Sequence, residues 1–365
     1  MKKINVTQST LPSYEDYINR IKPLWESFHL TNSGQYHNEL ELKLAEYLDT
    51  KNALLFSNGH IALEYALEML HKTGEIITTP FTFASTTQAI VRTGNQPVFC
   101  DIKSDFTIDE SKIEKLINSN TIAILPVHVY GNICNVEQIE KIAKKHKLFV
   151  IYDAAHVFGV KYKNRGIGSY GDISMFSFHA TKVFHTIEGG SLTFNNIGYK
   201  DKLTYLRNFG QVTSENVDYI GGNGKMDEFR AAMGLCVLEI VDNEISKRKQ
   251  VYERYMNHLR GLKGIQLNEI QDNVSSNYAY FPVIFDTYHY DRNQIYHLLS
   301  NFNITPRKYF YPLTSDFKAY KDLFPIQPTP LAKKMAEQIL CLPLYPNLAL
   351  EDVDRICKII KEGSL

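Results

Sequence analysis

Short apolar runs alternate with amphipathic segments from residue 37 to residue 194, and this alternation limits the possible folds more than any other property of the chain. The runs at 53–56, 75–79, 97–102, 122–129, 149–152, 173–178 and 191–194 have strand length and are rich in Ile, Val, Leu and Phe. Most are continuously apolar, as expected of strands covered on both faces. Between them, 37–50, 61–70, 84–92, 111–117 and 136–146 read as helices. Leu40, Leu42, Leu44, Ala45 and Leu48 form the apolar stripe of the first, and Asp109 or Ser111 caps the fourth. This order predicts an α/β fold with a large, mostly parallel, doubly wound sheet.

Beyond 194 the pattern changes. A long helix is predicted from residue 227 to 246, continuing through Lys247-Arg248-Lys249 toward Leu259. A strand (278–285), helices (292–301, 331–338 and 351–361), a proline-punctuated loop (306–330) and Leu342-Pro343-Leu344 complete a smaller α+β unit. With 365 residues the chain exceeds one typical core. We place a large domain at 1–245, its first 36 residues contributing to the site, and a small C-terminal domain at 246–365.

Lys+Arg and Asp+Glu are both 40, so no polyanion-binding surface is indicated and nucleic acid is not an expected partner. The five cysteines are scattered and no CxxC occurs, which argues against a zinc site or a disulfide framework and for a reducing, cytoplasmic setting. No apolar run approaches the ~18–20 residues of a membrane span. Met1-Lys2-Lys3 is basic but lacks the apolar stretch of a signal peptide.

Two strand ends carry the chemistry. One apolar run ends at Asp153, in Tyr152-Asp153-Ala154-Ala155-His156. Another leads into Ser177-Phe178-His179-Ala180-Thr181-Lys182, followed by Glu188-Gly189-Gly190. Taken singly, Lys182 reads as a solvated surface charge and Asp153 as a helix cap. As a pair at the ends of α/β strands they supply what pyridoxal phosphate (PLP) requires: an amine to form an imine and an anion to hold the pyridine nitrogen. Ser57-Asn58-Gly59-His60 joins a strand to a helix, where free N–H groups can bind phosphate; such junctions also serve packing alone. Phe81 and Phe83 read equally as core and as rings over a flat cofactor. Gly221-Gly222-Asn223-Gly224 marks either a turn or close ligand contact. Gly166-Ile167-Gly168-Ser169-Tyr170-Gly171 matches GxGxxG but precedes a strand, so no nicotinamide site is expected there. The histidines lack metal-site spacing, and no metal is expected.

Together these motifs resemble the DegT/StrS family of nucleotide-sugar aminotransferases, within the aspartate-aminotransferase-like PLP enzymes of fold type I. The likeness runs from Leu30-Thr31-Asn32-Ser33-Gly34 to Cys341-Leu342-Pro343-Leu344. It implies that Lys182 and Asp153 are catalytic, and that PLP is held by Gly59, His60, Phe83, Asp153, His156, Ser177 and Lys182. Asn223 is implied to reach the phosphate of a neighbouring subunit's site, which makes the active unit a homodimer. Asn32, His179, His185, Tyr309 and Tyr311 are implied sugar contacts. One departure is His60, where the family more often has Thr.

Within the family, His-Ala-Thr-Lys followed by Glu-Gly-Gly is similar to members that aminate C4 of a dTDP-linked 4-keto-6-deoxyhexose. L-Glutamate is then the amino donor, PMP the form of the cofactor between half-reactions, and dTDP-4-amino-4,6-dideoxy-D-glucose the product, for O-antigen or other glycosides. Arg207 and Lys308 are candidates for the substrate's diphosphate. The alternatives are 3-amination, a PLP-dependent dehydratase with His in place of the lysine, a non-catalytic regulatory protein of the same fold, and a nicotinamide oxidoreductase.

Overall fold

The predicted strands assemble into one seven-stranded sheet. The computed structural model describes residues 3–70, 72–320 and 322–363; Met1 and Lys2 of the basic opening lie outside the described residues. The strand order is Asn52–Phe56, Gly190–Phe194, Ile173–Ser177, Phe149–Asp153, Thr121–Ile124, Glu75–Thr78 and Gln96–Phe99. All run parallel except Gly190–Phe194, which is antiparallel to both neighbours.

Successive strand residues feed opposite cores, as the two-residue repeat requires. Leu54, Ile76, Ile151 and Leu192 pack with Leu63 and Ile90 from helices Gly59–Glu68 and Ala84–Arg92. Leu55, Ile77, Ile124 and Val150 pack on the other face with Leu40, Ile139 and Val237 from helices Gln35–Tyr47, Val136–His146 and Glu228–Leu259. Covering both faces explains why the runs are continuously apolar.

Three local readings need correction. Leu42, placed in the stripe of the first helix, is 74% exposed. Two residues beyond Leu40, it lies about 200° around the helix from it, on the far side. The run 122–129 forms a shorter strand, Thr121–Ile124. Pro126 has no N–H to extend the ladder, and Val127 makes only an isolated bridge to Asp153. The segment 111–117 is a single α-turn, Glu110–Ile113, capped by the Asp109 side chain and followed by a 3₁₀ turn.

The long helix is one unbroken rod, Glu228–Leu259, of 32 residues. Its Ala231, Leu235 and Val241 belong to the large core. Its Val251, Tyr255 and Leu259 belong to a second core with Phe281, Leu299, Leu342 and Ile356. That core rests on an antiparallel sheet ordered Ile265–Leu267, Phe281–Phe285, Ile339–Leu342. The N-terminal strand Ile4–Asn5 joins this lobe by pairing with Ile304–Thr305. We propose that the two lobes meet within the long helix, near residue 245. The GxGxxG segment follows a short hairpin and leads into strand Ile173–Ser177, so it opens no helix onto which a dinucleotide could dock.

Candidate active site

The carboxyl ends of the parallel strands border a chamber of about 500 Å³, the edge where open α/β sheets place their ligands. Asp153 closes strand Phe149–Asp153. Its backbone is pinned from both sides: its N–H donates to the Pro126 carbonyl and its carbonyl accepts from His128 N–H. Its side chain is just as fixed. The Thr86 hydroxyl donates to Oδ2 at 2.7 Å, and the Ala155 N–H donates to Oδ1 at 3.1 Å. Burial raises this carboxyl's pKa, opposed by Thr86, Ala155 and Lys182. A buried anion in this state favours a cationic N–H partner.

Lys182 lies on the 178–189 segment, which is neither helix nor strand. Phe184 stacks on Phe158 at 4.3 Å and meets Phe178 edge-on at 4.8 Å, so aromatic packing fixes the loop. Phe178 N–H also bonds Gly189, and Thr186 N–H bonds Phe178. The Lys182 amine turns into the chamber, with Nζ 3.3 Å from the Tyr280 hydroxyl. Burial lowers its pKa to about 8, against the opposing pull of Asp153 and Tyr309. A free amine is therefore available near neutrality, as imine formation requires.

His156 projects from the turn after Asp153. Its Nδ1 accepts from Tyr130 N–H at 3.1 Å, and burial, then Lys182, drives its pKa well below the ordinary value. The ring is thus neutral with its proton on Nε2, a donor for a ligand oxygen. On the opposite wall, Asn58 caps helix Gly59–Glu68 by accepting from Ile61 N–H at 2.9 Å. The Gly59 and His60 N–H groups in this first turn have no intrahelical carbonyl and suit an anion. Gly59 lets the helix approach strand Ile173–Ser177 closely, since a Cβ there would sit 3.0 Å from that of Ser177. Phe83, 59% exposed, presents its ring at the edge of the chamber. An amine, an anion, a neutral imidazole donor and a helix N-terminus around one cavity fit PLP: Lys182 would carry it, Asp153 would hold its ring nitrogen, and Gly59, His60 and Ser177 its phosphate.

The pattern of the DegT/DnrJ/EryC1/StrS aminotransferase family matches residues 13–361. The chain belongs to that family. Members of it use PLP. This aminotransferase is 40% identical over 363 residues, 99% of each chain, to a dTDP-4-amino-4,6-dideoxy-D-glucose transaminase of Shigella dysenteriae. It is 42% identical, over 98% of each chain, to the Escherichia coli protein of the same name. Its fold is similar to the crystal structure of DesI in the presence of its TDP-sugar product, with TM-score 0.95 and 28% identity over 100% of this chain and 94% of that one.

Of the residues singled out from sequence, Gly59, His60, Phe83, Asp153, His156, Ser177, His179, Lys182 and Tyr309 line the aminotransferase's chamber. His60 is engaged on both ring nitrogens, by Ser85 at 2.9 Å and Glu64 at 3.1 Å, so its imidazole does not simply replace a threonine hydroxyl. Four residues lie elsewhere. His185 is buried, with Nε2 bonded to the Thr10 carbonyl and Nδ1 accepting from Ile187 N–H; it anchors the N-terminal segment and does not face the chamber. Asn32 sits on an exposed turn with φ of 62°. Tyr311 lines an adjoining groove, with its ring under Arg292. Asn223 is exposed, outside this chain's own chamber. Of the two diphosphate candidates, Arg207 is buried against Glu41 at 2.6 Å and the Leu55 carbonyl at 2.8 Å, which removes it. Lys308 belongs to the adjoining groove.

Sequence reasoning missed Thr86, Tyr280 and Arg230. Thr82 and Thr86, four positions apart on either side of Phe83, were the available signal for the first. Nothing local points to Tyr280, which comes from the small lobe.

The lysine's pKa gives a prediction. Capture of PLP by the apoenzyme should accelerate as pH rises through about 8 and level off above it, because only the neutral amine is nucleophilic. Stopped-flow reconstitution across pH measures this. A rate still climbing near the ordinary lysine value would show that Lys182 is not desolvated.

Proposed function

We propose that this aminotransferase moves the amino group of L-glutamate to C4 of dTDP-4-keto-6-deoxy-D-glucose, giving dTDP-4-amino-4,6-dideoxy-D-glucose and 2-oxoglutarate. The observation that carries this reading is the Lys182 amine and the Asp153 carboxylate facing one chamber, in a chain resembling two transaminases of that name end to end. PLP, when bound, supplies an electron sink for the charge that develops at the donor's Cα. Lys182 moves the proton away from that carbon in the first half-reaction and returns one to the sugar's C4 in the second. Asp153 keeps the ring nitrogen protonated, an electrostatic role that needs no turnover of its own. Thr86 and Ala155 hold Asp153 in place. His156 would donate from Nε2 to a cofactor oxygen, and Phe83, at the chamber edge, would cover a face of its ring.

A homodimer is part of the reading. Asn223 lies on an exposed loop that also presents Phe209 (53% exposed), Val217 (65%) and Ile220 (97%). Burying these apolar side chains against a second copy would remove them from water and bring Asn223 to the partner's phosphate. We place the enzyme in the cytoplasm, where its five free, buried cysteines stay reduced. Lys182 itself argues against the dehydratase reading, which needs histidine at that position.

The test is product analysis. PLP-loaded enzyme with glutamate and a panel of dTDP- and UDP-ketosugars should yield one equimolar pair: 2-oxoglutarate and an equatorial C4 amine, identified by NMR. A C3 amine, or deoxygenation without transfer of nitrogen, would overturn the assignment.

A further inference from the structure

The amino donor and the sugar nucleotide are both anions, and the chamber must neutralise each in turn. Among the described residues that line it, only Lys182 and Arg230 bear a lysine or arginine head group. Lys182 is committed to the cofactor. Arg230 stands in the first turn of helix Glu228–Leu259, partly exposed at the chamber wall. Its backbone N–H is fixed by the Asp227 cap at 2.9 Å, while its guanidinium makes only a loose contact with Asp227, 3.4 Å from Nε to Oδ2. Glu188, an acid that also lines the chamber, pairs with His179 at 3.5 Å. The planar donor fork of Arg230 is therefore available for a carboxylate.

Two anions compete for that role. The neighbouring groove of about 390 Å³ shares Thr82, Phe83, Tyr309 and Phe310 with the chamber and carries its own cations, Arg307 and Lys308. A nucleotide diphosphate reaches far enough to use them. An amino acid confined to the chamber does not. Resting on the donor reading above, we infer that Arg230 binds the distal carboxylate of a dicarboxylic amino donor and sets the preference for glutamate over its neutral amide.

Half-reactions separate the possibilities. Holoenzyme is mixed with L-glutamate or L-glutamine, and conversion of the cofactor to its amine form is followed by absorbance. Arg230→Gln should lower the glutamate efficiency roughly 10- to 100-fold, the loss of a charge-assisted hydrogen bond, while leaving glutamine unchanged, so that the preference collapses. Arg230→Lys should retain part of it. The reverse half-reaction, PMP enzyme with the ketosugar, should be unaffected. An unchanged glutamate preference in Arg230→Gln would overturn the inference. So would an equal loss with the ketosugar, which would assign Arg230 to the diphosphate or to the fold. Failure of the wild-type enzyme to accept either donor would instead count against the proposed reaction.

Discussion

Replacing Lys182 with Ala is expected to abolish amino transfer and to erase the absorption band of lysine-bound PLP. Two losses combine. Removing a positioned proton carrier costs roughly 10²–10⁴-fold, and the covalent anchor is lost as well. The fold should survive, because the segment is held by Phe158, Phe178 and Phe184 and not by the lysine. Circular dichroism, a single-turnover assay with glutamate, and mass spectrometry after borohydride reduction read the three points separately. A reduced adduct still found on the variant would move the chemistry to another amine.

Asp153→Asn should leave a folded protein that binds PLP and turns over poorly. Asn keeps the shape, with its oxygen still accepting from the Ala155 N–H and its NH2 donating to the Thr86 oxygen in place of the bond that Asp153 accepts, but it carries no charge to hold a ring proton. Removing one fixed group that stabilises charge developing during the reaction typically costs roughly 10²–10³-fold in rate. The loss should appear in proton transfer at the donor's Cα, measured as a larger deuterium isotope effect with Cα-labelled glutamate. Full activity in Asp153→Asn would mean that the ring nitrogen is held elsewhere. Thr86→Val should give a weaker version of the same defect, since it removes one of the two bonds that orient the carboxylate.

The parts of this molecule that could be read from sequence are those governed by short-range periodicity. The strands and helices around the sheet follow from apolar spacing; Asp153 stands out because it ends such a run, and Lys182 because it closely follows one. What escaped depends on packing between distant segments. Thr86 meets Asp153 across 67 positions and Tyr280 meets Lys182 across 98. The resemblance implies a sugar contact at His185, yet its side chain is buried against the Thr10 carbonyl, 175 positions away. Leu42 shows the same limit on a smaller scale: an apolar residue in an apolar neighbourhood, on the wrong side of its helix.

The 32-residue helix carries a mechanical implication. At about 1.5 Å per residue it is a girder close to 48 Å long, with one end embedded in each hydrophobic interior. Such a beam has no pivot at mid-span. Any tightening around bound substrate must therefore come from shorter loops at the rim, and melting either interior strips half the beam of its support, so the two lobes should lose their structure together.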